Sequence, residues 1–209
     1  WQTSYKNLYV IYVPLNKVSI DDYPTIKEHL SQFKTKLKKR ATNQEWYEMQ
    51  QPQEKFTELF DRPKIIYPDC AKEMRALYDE SGAYGTMAMY FIPYDQVIMG
   101  ILNSKLFDWY ARMTFATFGD PWNRGRIIFK TIYMSKVPIP DTKNNTGTLI
   151  KERVDKILAI TKSSDYLENT AKKTEVKKYE KQIEQMVYKL YGLTDEEIGI
   201  VENSNIDSE

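Results

Sequence analysis

The sequence predicts an α+β fold: a domain built on a mixed sheet over residues 1–140, then an antiparallel helical arm over residues 141–209. Three observations carry this expectation. Short β-branched and aromatic runs alternate with stretches of helical periodicity as far as VPIP at residues 137–140. Beyond that point only helical stripes remain, and turn or capping residues punctuate the joints between elements. Of the 209 residues, 42% are hydrophobic and 13% aromatic, which is material for one substantial core with an appendage.

The elements follow in order. KNLYVIYV (6–13) is β-branched and aromatic enough to predict a buried strand. Asp21, Asp22 and Pro24 signal a helix start, and Ile26, Leu30, Phe33 and Leu37 recur on one face, so this helix is expected to reach about Arg40. After a polar loop with Trp46 and Tyr47, a short helical piece ends at Asp61-Arg62-Pro63, because proline disfavours helix in the residue before it. KIIYPDC (64–70) reads as a short strand. RALYDESGAYGTMAMYFIP (75–93) reads as two strands around Gly82 and Gly85, with Met87, Met89 and Phe91 alternating on the second. Asp95 can cap the next helix.

IMGILNSKLFDWY (98–110) places the polar pair Asn103-Ser104 between two apolar helical runs. Asn tolerates the left-handed conformation that closes a helix, and a Ser oxygen accepts from the free N–H groups that open one. The pair therefore predicts a corner, with the second helix running to about Phe115. FGDPWNRGR (118–126) is a loop, RIIFKTIYM (126–134) a strand, and VPIP forces an extended exit. Leu149, Ile150, Val154, Ile157, Leu158 and Thr161 then form one helical stripe, and Val176, Tyr179, Ile183, Met186, Val187 and Leu190 another. Gly192 stops the second, and Thr194 with Glu197 forms a capping box for a last short helix.

The chemistry is bounded mainly by exclusion. Cys70 is the one cysteine and His29 the one histidine, so a disulfide framework, a thiolate metal site and most nucleophile and base pairs are ruled out. The sequence contains no Gly-rich phosphate loop and no GxSxG. Pairing Pro68-Asp69 with Asp141 and Lys143, or with Glu175 and Lys177, as a nuclease cluster requires separations far wider than such sites use. No apolar run approaches the roughly 18 residues of a membrane span and no signal peptide opens the chain, so a soluble, cytoplasmic protein without a membrane partner is expected. The start at Trp1, without Met, suggests a piece of something longer. The net charge of +1 hides an uneven distribution. Residues 27–40 hold six Lys/Arg against one acid, residues 105–143 seven against three, and the last thirty residues two against eight. Local basic patches on a nearly neutral chain are compatible with nucleic acid, and equally with solvated faces.

LSQFKTKLKKR, an isolated Trp46, RPKIIYPDC, YFIP followed by Asp95, ILNSKLFDWY, KVPIP and IEQMVYKLYGLTDEEIGIVE occur in an order and spacing that resembles the TaqI-like C-terminal specificity domain, over roughly residues 6–202. Such domains accompany adenine-specific DNA methyltransferases and single-chain type II restriction-modification enzymes, and are similar to the recognition domains of type I specificity subunits. The resemblance implies a target recognition domain that is not catalytic by itself. Its implied partners are double-stranded DNA and a methyltransferase domain of the same parent chain. S-adenosylmethionine would be bound by that other domain, and this chain would hold no cofactor or metal.

A domain of this kind must grip the duplex by its phosphates and read base edges, for which Arg suits guanine and Asn or Gln adenine. The candidate DNA-binding residues lie beside predicted strands and on the corner's second helix. They are Lys72 and Arg75 after KIIYPDC, Arg112, and the loop residues Trp122, Asn123, Arg124 and Arg126. Asn103-Ser104 is assigned to architecture. The alternative reading is a protein-interaction module in which the helical arm docks a partner and the basic patches are incidental.

Overall fold

The computed structural model describes every residue except 2–7, 53, 86–87, 124 and 205–209. The chain separates into two compact units, Tyr5–Glu58 and the combination of Trp1–Ser4 with Leu59–Glu209. The division thus falls near residue 58, whereas the boundary expected near residue 141 lies inside the larger unit, beyond its last strand.

In the smaller unit, helix α1 is Pro24–Ser31 and α2 is Lys34–Leu37. Pro24 occupies the first turn, where its missing N–H costs nothing. The single helix expected to reach Arg40 is broken at Gln32 and Phe33, and neither piece buries a residue, so there is little packing to hold one longer helix together. The strand expected at residues 6–13 does not form over residues 8–13. Leu8 and Tyr9 are 78% and 90% exposed, and without a ladder partner a β-prone run has nothing to pair with. The unit is held by local polar bonds. Buried Glu48 accepts from the N–H groups of Asn16 at 2.5 Å and Glu45 at 2.9 Å, and Arg40 donates to the carbonyls of Leu37 and Trp46 at 2.8 Å each. The Lys34 ammonium lies 4.8 Å from the Trp46 ring centroid.

Across the boundary, α3 (Thr57–Phe60) ends before Pro63, as expected. In the larger unit β1 (Lys64–Pro68), β2 (Cys70–Ala71), β3 (Leu77–Asp79) and β4 (Met89–Pro93) follow. Helices α4 (Gln96–Leu102) and α5 (Lys105–Thr114) precede β5 (Thr117–Phe118) and β6 (Arg126–Ile128). Then come α6 (Thr131–Met134), α7 (Asn145–Thr161), α8 (Thr170–Tyr191) and α9 (Asp195–Asn203).

The fold is α+β, but its strands form two antiparallel three-stranded sheets in place of one mixed sheet, ordered β3-β1-β4 and β2-β6-β5. The two strands read around Gly82 and Gly85 exist, though each pairs with β1 and they do not pair with each other. Met87 lies outside the described residues. KIIYPDC serves both sheets: β1 ends at Pro68, Asp69 donates its N–H to Ala88 and accepts from Phe129, and β2 begins at Cys70. The strand expected over 126–134 stops at Ile128, where Lys130 opens the short helix α6. Phe129 is fully buried against Phe107 and Phe115, which anchors the chain just before it turns.

The core is shared by the sheets and the later helices. Ile65, Val97, Met99, Ile101, Phe107, Ile127, Ile150, Val154, Ile157, Ile183 and Val187 form one buried cluster. Gly100 permits the close approach of α4 to α7, because a Cβ there would meet Ile150 at 2.8 Å. Arg153 bonds Gln182 and Lys156 lies over Tyr179, while Ser163 bonds Lys172, so α7 and α8 run antiparallel as predicted. Gly192 ends α8 at φ 69°, and Thr194 with Glu197 makes the expected capping box on α9. Where β1 pairs with β3, Lys64 and Asp79 form an ion pair of 2.5 Å with side chains 0% and 1% exposed, and Lys64 also donates to the Phe60 carbonyl at 2.7 Å.

Candidate functional site

The corner at Asn103-Ser104 begins the construction of the site. The Ser104 oxygen accepts from the Phe107 N–H at 3.2 Å and its hydroxyl donates to the Ile101 carbonyl at 2.7 Å, which fixes the start of α5. Asn103 does close α4, but at φ −90° and not in the left-handed conformation expected of it. Its side chain is committed elsewhere. The Asn103 amide accepts from the Ala76 N–H and donates to the Ala76 carbonyl, both at 2.9 Å, so the corner pins the residue that follows Arg75.

Helix α5 then carries Arg112 to a junction between two loops. Its guanidinium donates to Asp108 at 2.6 Å, to the Lys72 carbonyl at 3.0 Å and to the Pro121 carbonyl, and lies 5.5 Å from the Trp122 ring centroid. Burial pushes the Asp108 carboxyl above its ordinary range, while Arg112 opposes that shift. The planar fork of Arg satisfies several acceptors in one plane, which Lys cannot do. Arg112 is therefore the clamp that holds the Lys72 loop beside the 119–126 loop, and most of its donors are already in use.

The 119–126 loop is a closed turn. Asp120 accepts from the Trp122 N–H at 2.9 Å through its side chain, and from Asn123 and Gly125 at 3.1 and 2.8 Å through its carbonyl. Gly119 adopts φ 77°, and a Cβ on Gly125 would collide with the Asp120 carbonyl, so both glycines are required by the turn. The loop delivers the chain into β6 at Arg126.

In the second sheet Phe118 pairs with Arg126, Thr117 with Ile127 and Ala71 with Ile127. Residues directly opposite share a face, so buried Ile127 marks the inner face and Arg126 with Phe118 the outer one. Lys72 follows the end of β2 at Ala71 and borders the same groove as Arg126. Phe118, 64% exposed, was not anticipated as a site residue; its only signal was an aromatic beside a glycine at a loop edge.

These segments line a groove of about 840 Å³. Lys72, Arg75, Arg112, Trp122 and Arg126 all border it, with Tyr67, Cys70 and Met89 among the others. Five of the seven expected site residues are thus brought together from three separated stretches of chain. Asn123 is exposed on the turn but does not line the groove, and Arg124 lies outside the described residues. The groove is basic, with four cationic side chains against Glu73. Arg75 is paired with Glu73 at 2.5 Å and Arg112 with Asp108, which leaves Lys72 and Arg126 as the groove cations without an ion pair among the described residues. Tyr67 stacks on Tyr90 at 5.5 Å, and burial pushes its hydroxyl up to about 12, so it stays a neutral donor. Neither Tyr67 nor Met89 was anticipated, because the strand pattern marked them only as packing residues.

Comparison with known proteins places this geometry in context. The family described as the TaqI-like C-terminal specificity domain has a model that matches residues 23–139. The chain is also similar to the type II methyltransferase M.XhoI of Xanthomonas vasicola, with 23% identity over 131 residues. That match covers 61% of this chain and 24% of the methyltransferase, so the chain corresponds to a minor part of that protein's length.

Proposed function

Since the chain belongs to the family of TaqI-like C-terminal specificity domains, we propose that it reads the DNA target of an adenine-specific methyltransferase of the restriction-modification class and performs no catalysis itself. The observation that carries this reading is the convergence of Lys72, Arg75, Arg112, Trp122 and Arg126 on one groove from three distant segments. A major groove admits a small β-ribbon, and the outer face of the second sheet offers Arg126 and Phe118 to it, with Lys72 just beyond the end of β2. Arg126 is the base reader, because its guanidinium is exposed, is unpaired among the described residues and stands on a strand fixed by ladder pairing on both sides. Lys72 takes a phosphate, as a compact flexible cation does. Arg112, Asp120 and Asn103 position these groups without touching DNA.

S-adenosylmethionine is assigned to a separate methyltransferase domain. Both described sheets are antiparallel, unlike the doubly wound parallel sheet whose strand-to-helix turn cradles such a cofactor, which supports this assignment. No step of the chemistry is routed through this chain.

The test is binding across a set of duplexes that differ at single base pairs. Arg126→Ala should cost about 1–3 kcal/mol on the preferred site and relax preference at one position, whereas Lys72→Ala should weaken all sequences alike and lower the salt slope by about one. Unchanged affinity and unchanged preference in both variants would remove this groove as the reading surface.

A further inference from the structure

A second surface, sharing no residue with the groove above, lies between α7 and α8. It is a groove of about 820 Å³ lined by Lys177, Lys178, Lys181 and Lys189 with Thr146, Thr174, Gln182 and Gln185 around a floor of Leu149 and Met186. Lys177, Lys181, Gln185 and Lys189 recur every four residues and so form one ridge along α8. None of the four ammonium groups is engaged in an ion pair among the described residues, and the lining contains no carboxylate. This concentration is local, since the chain as a whole carries a net charge of only +1. From Lys177 to Lys189 the ridge rises about 18 Å, the axial length occupied by about five phosphates of one DNA strand.

We propose that the α8 lysine ridge is a second, sequence-independent DNA contact, which holds one backbone strand outside the base pairs read by Arg126. The inference rests on the reading given under Proposed function. The chemistry of the lining favours phosphate over a protein partner: lysines, threonines and glutamines are backbone-contacting residues, whereas a docked helix needs a seam of apolar anchors and protein interfaces are depleted in lysine at their centres. Two apolar side chains do not make such a seam. The ridge would add affinity and fix orientation while leaving base preference to the other groove.

The experiment uses the whole chain and a pool of random-sequence 30-base-pair duplexes, titrated at several salt concentrations. The triple variant Lys177→Ala, Lys181→Ala, Lys189→Ala should lose about tenfold or more in affinity for every sequence and lower the salt slope by about three, with the enriched sequence unchanged. The matching triple Lys→Arg variant keeps the charge and should bind like wild type, which separates lost phosphate contacts from lost folding. A triple Ala variant with wild-type affinity and slope would overturn the ridge even if Arg126→Ala shifts base preference. Loss of association with a separately expressed methyltransferase domain at unchanged DNA affinity would make the ridge a protein dock and equally overturn it. A wild-type chain with no DNA affinity at all would instead remove the functional reading on which the ridge depends.

Discussion

At the scale of single residues, the most consequential group is Arg112, which sequence reading counted among the DNA contacts and which the fold employs as a clamp. Its donors meet Asp108, the Lys72 carbonyl and the Pro121 carbonyl, and its plane lies over Trp122. Arg112→Ala would leave the half-buried Asp108 carboxyl without its cation and free two loops at once. The expected cost is about 1–3 kcal/mol, with faster amide exchange confined to residues 72–76 and 119–126. Arg112→Lys should rescue little, since an ammonium cannot reproduce the fork. Full stability and unchanged exchange in Arg112→Ala would return this residue to the list of available DNA contacts.

At the scale of elements, the corner between α4 and α5 can be tested through its cap. Ser104 is buried and makes two hydrogen bonds, so Ser104→Ala should lower stability by about 0.5–2 kcal/mol, read from a denaturant midpoint, while DNA affinity of the folded protein stays unchanged. The same helix end carries a pH-dependent partner. Glu184 on α8 accepts from the Lys105 N–H at 3.1 and 3.0 Å at the start of α5. Burial nevertheless pushes its carboxyl from 4.5 up to about 7, with Glu202 and Glu180 adding repulsion and Lys105 opposing. The fold therefore favours the neutral form: the stabilising contribution is complete below about pH 4.5 and is lost as pH rises through about 7. Relative to Glu184→Gln, wild type should lose up to about 3 kcal/mol of stability between pH 4.5 and pH 8, measured by urea unfolding. Parallel stability curves for the two proteins would show that this carboxylate is as well solvated folded as unfolded.

At the scale of the whole molecule, the specificity-domain reading predicts that the purified chain binds no S-adenosylmethionine, and calorimetric titration showing one-to-one binding would refute it. How much of this was legible in the sequence depended on range. Caps, stops and helical stripes were readable because they are local: Asp95, Ser104, Gly192 and the Thr194–Glu197 box each act within one turn, and their residue types follow from the unsatisfied N–H and C=O groups of a helix end. The order of short motifs likewise carried the family, and the site's residue types were visible as basic and aromatic groups beside turns. Strand behaviour was not readable in the same way. KNLYVIYV has strand composition but residues 8–13 take no regular form, and RIIFKTIYM turns helical after Phe129, because a strand exists only where a distant partner offers a ladder. Nor could the sequence say that Asn103 bonds Ala76, or that Arg112 spends its donors on two loops, since those contacts join residues 27 and 40 positions apart. Sequence alone determined which groups were available and where helices begin and end; the tertiary structure decided that Arg112 is bound up between two loops while Lys72 and Arg126 carry no ion pair among the described residues, because that division depends on long-range packing and hydrogen bonding that no local pattern encodes.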